Sequence, residues 1–176
     1  VIGMQLPIDR IKAGISELAK VKKAGIESGT EAAKAIMTTD TKKKEVAVQF
    51  QIGDKTVTIG GMAKGSGMIH PNMCTMLAFI TTDAVISRKA LQKAMSNDVE
   101  ETYNMISVDG DTSTNDTALL LANGMAGNKK IKKGTPEFEV FQEALHYDNE
   151  TLAQMMAGDG EGGTALFEVK VVGAKT

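Results

Sequence analysis

Apolar positions change their spacing several times along the chain, and each spacing predicts an element. Ile8, Ile11, Ile15 and Leu18 recur at about 3.6 residues, which predicts an amphipathic helix to about Lys23 with Pro7 in its first turn. Ser28-Gly29-Thr30-Glu31 has capping-box spacing and predicts a short helix to about Ile36. The period then falls to two. Val46, Val48 and Phe50 alternate with Gln49 and Gln51, and Val57 and Ile59 resume the alternation after Gly53-Asp54. That is the pattern of a β-hairpin. Beyond a glycine-rich turn, 76–82 reads as a buried strand, 87–95 and 98–103 as helices, and 106–108 as a short strand. An apolar helix is predicted over 116–126. A long amphipathic helix follows from Thr135-Pro136, carrying Phe138, Phe141, Leu145, Leu152 and Met156. Residues 158–163 stop it, and 166–172 read as a last strand. The mixture predicts an α/β fold, with helices layered over a mixed sheet, in one structural domain.

Composition narrows the function classes. At 176 residues roughly 70% of the unfolded surface can be buried, enough for a proper core. The net charge of −2, with two Tyr, five Phe and no Trp, provides neither a basic patch nor a stacking platform for nucleic acid. Lys42-Lys43-Lys44 falls in a predicted turn and reads as solvated. The single cysteine makes no internal disulfide, which fits a reducing compartment. No apolar stretch approaches the ~18 residues of a membrane helix, and no signal peptide is visible. The expectation is a soluble cytoplasmic protein. The chain starts at Val1 and ends just after the apolar run 165–172, so a fragment or processed product of a longer protein is expected.

Several stretches could carry chemistry. Residues 60–67 resemble a phosphate loop, but Lys64 precedes Gly65-Ser66 where a Walker loop needs Gly-Lys-Ser/Thr. Asp109-Gly110-Asp111 after 106–108 resembles the Asp-x-Asp loop of Mg²⁺-dependent phosphatases. As a Ca²⁺ loop it lacks glycine at position 6 (Thr114) and glutamate at position 12 (Leu120). The plainer reading is a loop folded by its own Asp, Ser, Thr and Asn side chains, capping a helix at Asn115 or Asp116. Residues 158–164 end a helix with glycines, and Glu161 among them could receive a substrate ammonium. In KGSGMIHPNMCTMLAF, residues 64–79, Thr75 follows a constrained turn. A threonine hydroxyl needs an adjacent base to act as a nucleophile, and its own α-amino group serves if the chain is cut before it. Attack of the Thr75 hydroxyl on the Cys74 carbonyl, then ester hydrolysis, would make that cut. Cys74 competes as nucleophile, but neither His70 nor His146 is evidently its base, and a buried inert thiol is expected.

Four blocks together resemble the autoproteolytic ornithine acetyltransferase (glutamate N-acetyltransferase) family of arginine biosynthesis. They are Ala35-Ile-Met-Thr-Thr-Asp-Thr41, Lys64 to Phe79, Val108-Asp-Gly-Asp-Thr-Ser-Thr-Asn-Asp-Thr117 and Ala157-Gly-Asp-Gly-Glu-Gly162. Their order matches and they cover essentially the whole chain. The resemblance implies an enzyme of the autoproteolytic aminopeptidase/ornithine acetyltransferase-like fold type. Self-cleavage between Cys74 and Thr75 would leave 1–74 as part of an α chain and 75–176 as part of a β chain, paired in a hetero-tetramer. Acetyl would pass from N-acetylornithine to glutamate through an acetyl ester on Thr75. No cofactor is implied, although some members take acetyl-CoA as donor. Thr38, Lys64, Thr75 and Glu161 would contact substrate, with Lys64 meeting a carboxylate and Glu161 a cationic end. Cys74 stands where the family usually has alanine, and the family's oxyanion donors, a Thr-Gly pair, precede a segment like Val1-Ile2-Gly3. A Mg²⁺-dependent phosphatase using Asp109 and Asp111, and an inactive structural fragment of the acetyltransferase, are the alternatives.

Overall fold

The computed structural model describes residues 3–71 and 75–173. Helix α1 (Ile8–Val21) follows directly on Pro7, and none of its residues is buried. Its apolar stripe faces outward, with Ile8, Ile11, Ile15 and Leu18 all exposed. Helix α2 (Ile26–Ala35) starts two residues before the expected capping box, from Gly25 at φ +127°. Ser28 therefore lies inside the helix and caps nothing. Strands β1 (Lys44–Ile52) and β2 (Lys55–Lys64) form the predicted hairpin around Gly53-Asp54, with Ile52 opposite Lys55. Gly53 takes φ +64° at the first loop position, where a two-residue hairpin favours glycine.

β2 pairs antiparallel with β3 (Leu77–Thr82). One continuous helix, α3 (Arg88–Glu101), replaces the two expected over 87–103. Ser87 caps it by accepting from Ala90 N–H at 3.2 Å. Met95 and Asp98 are buried on the same helix, so the polar Ser96-Asn97 pair does not interrupt its inward face. A 3₁₀ turn at Tyr103–Met105 follows. Residues 106–108 form no strand; Val108 N–H donates to the Ile69 carbonyl at 2.8 Å instead.

The helix expected over 116–126 is strand β4 (Thr117–Ala122), parallel to β3. A short apolar run has no period to separate strand from helix, and the free edge of β3 decides the matter. The α3 segment supplies the crossover that a parallel pair requires. Helix α4 (Pro136–Gly158) starts where Thr135-Pro136 predicts. It packs against β1, β2 and α3, burying Phe138, Phe141, Leu145, Leu152 and Met156 against Val57, Ile59, Ala78 and Ile80. Residues 166–172 are exposed and belong to no strand, contrary to expectation. The result is a four-stranded mixed sheet, order β1-β2-β3-β4, with helices layered on it. Among the described residues, no helix is long and apolar enough to cross a membrane.

The α4 core carries one polar cluster. His146 Nδ1 lies 2.7 Å from Asp98 Oδ1, Asn149 donates to Asp98 Oδ2 at 2.5 Å, and the Tyr103 hydroxyl donates to Asn149 Oδ1 at 2.8 Å. Beside it, Asp148 is fully buried, and neither carboxyl oxygen has a partner among the described residues. Gly61 makes room for it: a Cβ there would strike the Asp148 carboxyl and come within 2.8 Å of Leu152 Cδ1. Burial, aided by the Asp98 charge, pushes the Asp148 pKa up to about 7.

The folded protein thus keeps a proton that the unfolded chain releases near the ordinary carboxylate pKa of about 4. This contribution to stability is fully present below about pH 4 and is lost as pH rises through about 7, by on the order of 3–4 kcal/mol. Asp148→Asn is neutral throughout, so its stability relative to the parent should rise between about pH 4 and pH 7 and level off above that. Urea unfolding of both proteins across that range checks this, and a constant difference between them would refute it.

Candidate active site

The candidate residues gather where the β2–β3 ladder ends at the pair Lys64–Leu77. Lys64 closes β2, and Thr75 lies two residues before β3. Met76, between Thr75 and β3, is tied on both sides. Its N–H donates to Asp116 Oδ1 at 3.3 Å, and its carbonyl accepts from Thr117 N–H at 3.2 Å. Asp116 therefore anchors the residue after Thr75 rather than capping a helix.

The turn after Lys64 is held from outside. Gly65 has φ +153°, and Met68, at φ +56°, is the non-glycine residue in the left-handed region among those described. Such a conformation persists where surroundings enforce it. Asp109 does so, accepting from Met68 N–H at 2.5 Å and Ile69 N–H at 3.0 Å, with Asp111 N–H at 3.2 Å. Slight burial works to raise the Asp109 pKa, but the N–H donors of Met68, Asp111 and Ile69 outweigh it and hold the pKa below the usual carboxylate value. Asp109 is a backbone clamp. Both of its oxygens are engaged by amides, so the geometry does not support a phosphatase nucleophile there.

Three of the four sequence-predicted substrate residues meet around this turn. Lys64 Nζ donates to Thr38 Oγ1 at 3.3 Å. Glu161 N–H donates to the Ser66 carbonyl at 2.7 Å. The Glu161 carboxyl lies so close over Gly67 that a Cβ there would come within 2.7–2.9 Å of it. The Thr39 and Ser66 hydroxyls share a 2.8 Å hydrogen bond that fastens the Thr38 loop to the turn. Thr75 stands apart: its Oγ1 is buried and has no hydrogen-bond partner among the described residues. Cys74, the other side of the expected scissile bond, lies outside the described residues, and so does the expectation that its thiol is buried. Among the described residues no group of His, Cys, Asp and Glu is arranged to hold a metal.

Sequence reasoning missed one group beneath these residues. Lys44, read as solvated, is 1% exposed. Its Nζ lies 2.7 Å from Asp40 Oδ1 and 2.6 Å from Asp159 Oδ2. A signal was present, because Lys44 is in phase with Val46, Val48 and Phe50 and so belongs to the inward face of β1. Asp159 also accepts from the Thr41 hydroxyl and from the N–H groups of Thr41 and Lys42. Burial works to raise its pKa, but Lys44, Thr41 and Lys42 bring it down to about 2. Asp40 is likewise lowered, with Lys44, Gly65 and Thr38 donors outweighing burial. Both carboxylates stay ionised, and the stability they add is lost only as pH falls from about 4 toward 2.

Two clefts lie elsewhere. One, of about 540 Å³, runs between α2 and the outer sheet face along Ile26, Ala32, Gly60, Met62 and Phe79. The other, about 680 Å³, is polar and includes Asp98 and His146. Neither is lined by Thr38, Lys64, Thr75 or Glu161, which lie at the end of the two inner strands β2 and β3.

A family model described as the ArgJ family matches residues 1–176. The Arginine biosynthesis bifunctional protein ArgJ of Caldanaerobacter subterraneus subsp. tengcongensis is 56% identical over 176 residues, covering 100% of this chain and 43% of that protein. The protein of the same name from Symbiobacterium thermophilum is 53% identical with the same coverage. A crystal structure of the Bacillus halodurans protein argJ is 45% identical, with a TM-score of 0.46 over 48% of this chain and 39% of that one. The chain thus spans 43% of the length of the first two relatives. With the family match running through every residue from 1 to 176, the chain belongs to the ArgJ family.

Proposed function

We propose that this chain is the part of an acetyltransferase that holds its nucleophile and much of its substrate site. The observation that carries the reading is the convergence of Lys64, Thr38 and Glu161 on the single turn that leads to Thr75. A cation and a carboxylate flanking one turn suit a substrate carrying both charges, such as an N-acetylated amino acid with a second amino group. The names of the relatives, bifunctional proteins of arginine biosynthesis, favour N-acetylornithine as donor and glutamate as acceptor.

The buried hydroxyl of Thr75 has no base beside it among the described residues. Cleavage of the Cys74–Thr75 bond supplies one, because it creates an α-amino group on Thr75 itself. Residues 1–74 then belong to an α chain and 75–176 to a β chain, associated as a hetero-tetramer in the cytoplasm. In the first half-reaction the Thr75 oxygen attacks the acetyl carbonyl. The amide C–N bond breaks, ornithine leaves with a proton, and an acetyl ester stands on Thr75. In the second, the glutamate amine attacks the ester, N-acetylglutamate departs and the hydroxyl is restored. Lys64 holds the substrate carboxylate and Glu161 the cationic end of the side chain. The chemistry needs no cofactor, and acetyl-CoA enters as an alternative acetyl donor.

Incubating the full-length polypeptide with N-acetylornithine, without acceptor, should leave one acetyl group on Thr75, located by peptide mass spectrometry. An adduct on another residue, or none on an exposed N-terminal Thr75, would sink the reading.

A further inference from the structure

We propose that the buried ion cluster of Lys44, Asp40 and Asp159 is a positioning network for the substrate residues, acting through the backbone without touching substrate. The proposal rests on the acetyl-transfer reading of the site. Each member of the cluster grips a segment that carries one of the candidate contacts. Asp40 Oδ2 accepts from Thr38 N–H at 3.1 Å, and its Oδ1 accepts from Gly65 N–H at 2.7 Å. One carboxylate therefore fixes the backbone of Thr38 and of the residue after Lys64, whose side chains meet at 3.3 Å. Asp159 sits at the end of α4, two residues before Glu161. Through Thr41 and Lys42 it ties the Glu161 loop to the Thr38 loop. Lys44 Nζ bridges both carboxylates and also donates to the Lys42 carbonyl at 3.2 Å.

Three segments far apart in sequence, 38–44, 64–67 and 159–161, thus share one buried cation. Charged side chains are rarely buried without pairing, and a hydrophobic cluster of this size would contribute to stability at least as well. The cluster differs in direction: Asp40 binds the amides of Thr38 and Gly65, and Asp159, two residues before Glu161, binds those of Thr41 and Lys42. Both carboxylates have lowered pKa values, so the network stays charged at neutral pH. Misplacement of a binding group by about 1 Å can cost ~10²-fold in rate, which is reason enough for a rigid frame here.

The test uses Asp159→Asn and Asp40→Asn in the full-length polypeptide, since each keeps the shape and one acceptor oxygen. KM for N-acetylornithine should rise about tenfold or more while kcat changes far less, the mark of lost binding rather than lost chemistry. Asp159→Glu, which restores the negative charge, should bring KM back toward the parent value. An unchanged KM with a lowered melting temperature would make the cluster a mere scaffold and overturn the proposal. Amide hydrogen exchange separates this proposal from the reading it rests on. In Asp159→Asn the amides of Thr38, Thr41, Lys42, Gly65 and Glu161 should lose protection together, while those of the β1–β2 hairpin keep it. That pattern supports the network even if the parent forms no acetyl-Thr75 and the acetyl-transfer reading fails. Exchange that is unchanged, or faster throughout the molecule, overturns the network whatever the activity.

Discussion

Thr75→Ala should remain a single uncut polypeptide and lose acetyl transfer by at least ~10³-fold. Both losses have one cause. On the proposed mechanism the Thr75 oxygen first attacks the Cys74 carbonyl and later carries the acetyl group, so deleting it removes cleavage and ester formation together. Among the described residues the oxygen has no hydrogen-bond partner that could serve as a relay in its place. The fold should survive. Thr75 lies outside β3, and the adjoining Met76 keeps its bonds to Asp116 and Thr117. Thr75→Ser retains the hydroxyl and should retain cleavage and measurable transfer. Intact-mass measurement reads the cleavage, and turnover of N-acetylornithine reads the transfer. An alanine variant within about tenfold of the parent would exclude Thr75 as the nucleophile.

Lys44→Met should destabilise the fold by about 3–5 kcal/mol, the usual cost of removing one partner from a buried ion pair. The substitution leaves the Asp40 and Asp159 carboxylates facing each other with side chains at 0% and 4% exposure. Their backbone donors satisfy hydrogen-bonding capacity but supply no full positive charge. Lys44→Met combined with Asp159→Asn should therefore be less destabilised than the sum of the two single variants, because neutralising one carboxylate relieves the repulsion. Denaturant unfolding of the parent, both singles and the double closes the cycle. Strict additivity would show that Lys44 and Asp159 do not share an interaction.

How much of this was legible beforehand depended on how local each cause is. The β1–β2 hairpin was read correctly because alternation and Gly53-Asp54 lie within a few residues of one another. Helix α4 was read correctly because Thr135-Pro136 and a long apolar stripe sit on one segment. The reading of 116–126 failed because a short apolar run satisfies either a helix or a strand until a neighbouring edge is present. The expected strand over 166–172 does not form: Phe167, Val169 and Val171 alternate as a strand would, but the segment pairs with neither outer strand of the sheet, β1 or β4. Of the candidate site, Thr38, Lys64 and Glu161 stand out through blocks resembling a known family, and the structure brings those three around one turn. Asp109 was legible as a loop-forming residue, but not as the clamp of a turn some 40 residues earlier.

Lys44 marks the boundary most clearly. Its phase with Val46, Val48 and Phe50 was in the sequence and pointed inward, yet a lysine pointing inward is only tolerable if its partners exist. Those partners are Asp40, four residues before it, and Asp159, 115 residues after it. The sequence by itself determined the hairpin and the long helix, each written within one contiguous block, and the family, written in four short blocks in order. Only the tertiary structure decided that β4 is a strand, that Asp148 is buried without a hydrogen-bond partner among the described residues, and that one lysine joins the three loops of the candidate site. A buried charge or an unpaired edge is stable or unstable according to what stands across from it, and what stands across is set by the packing of the whole chain.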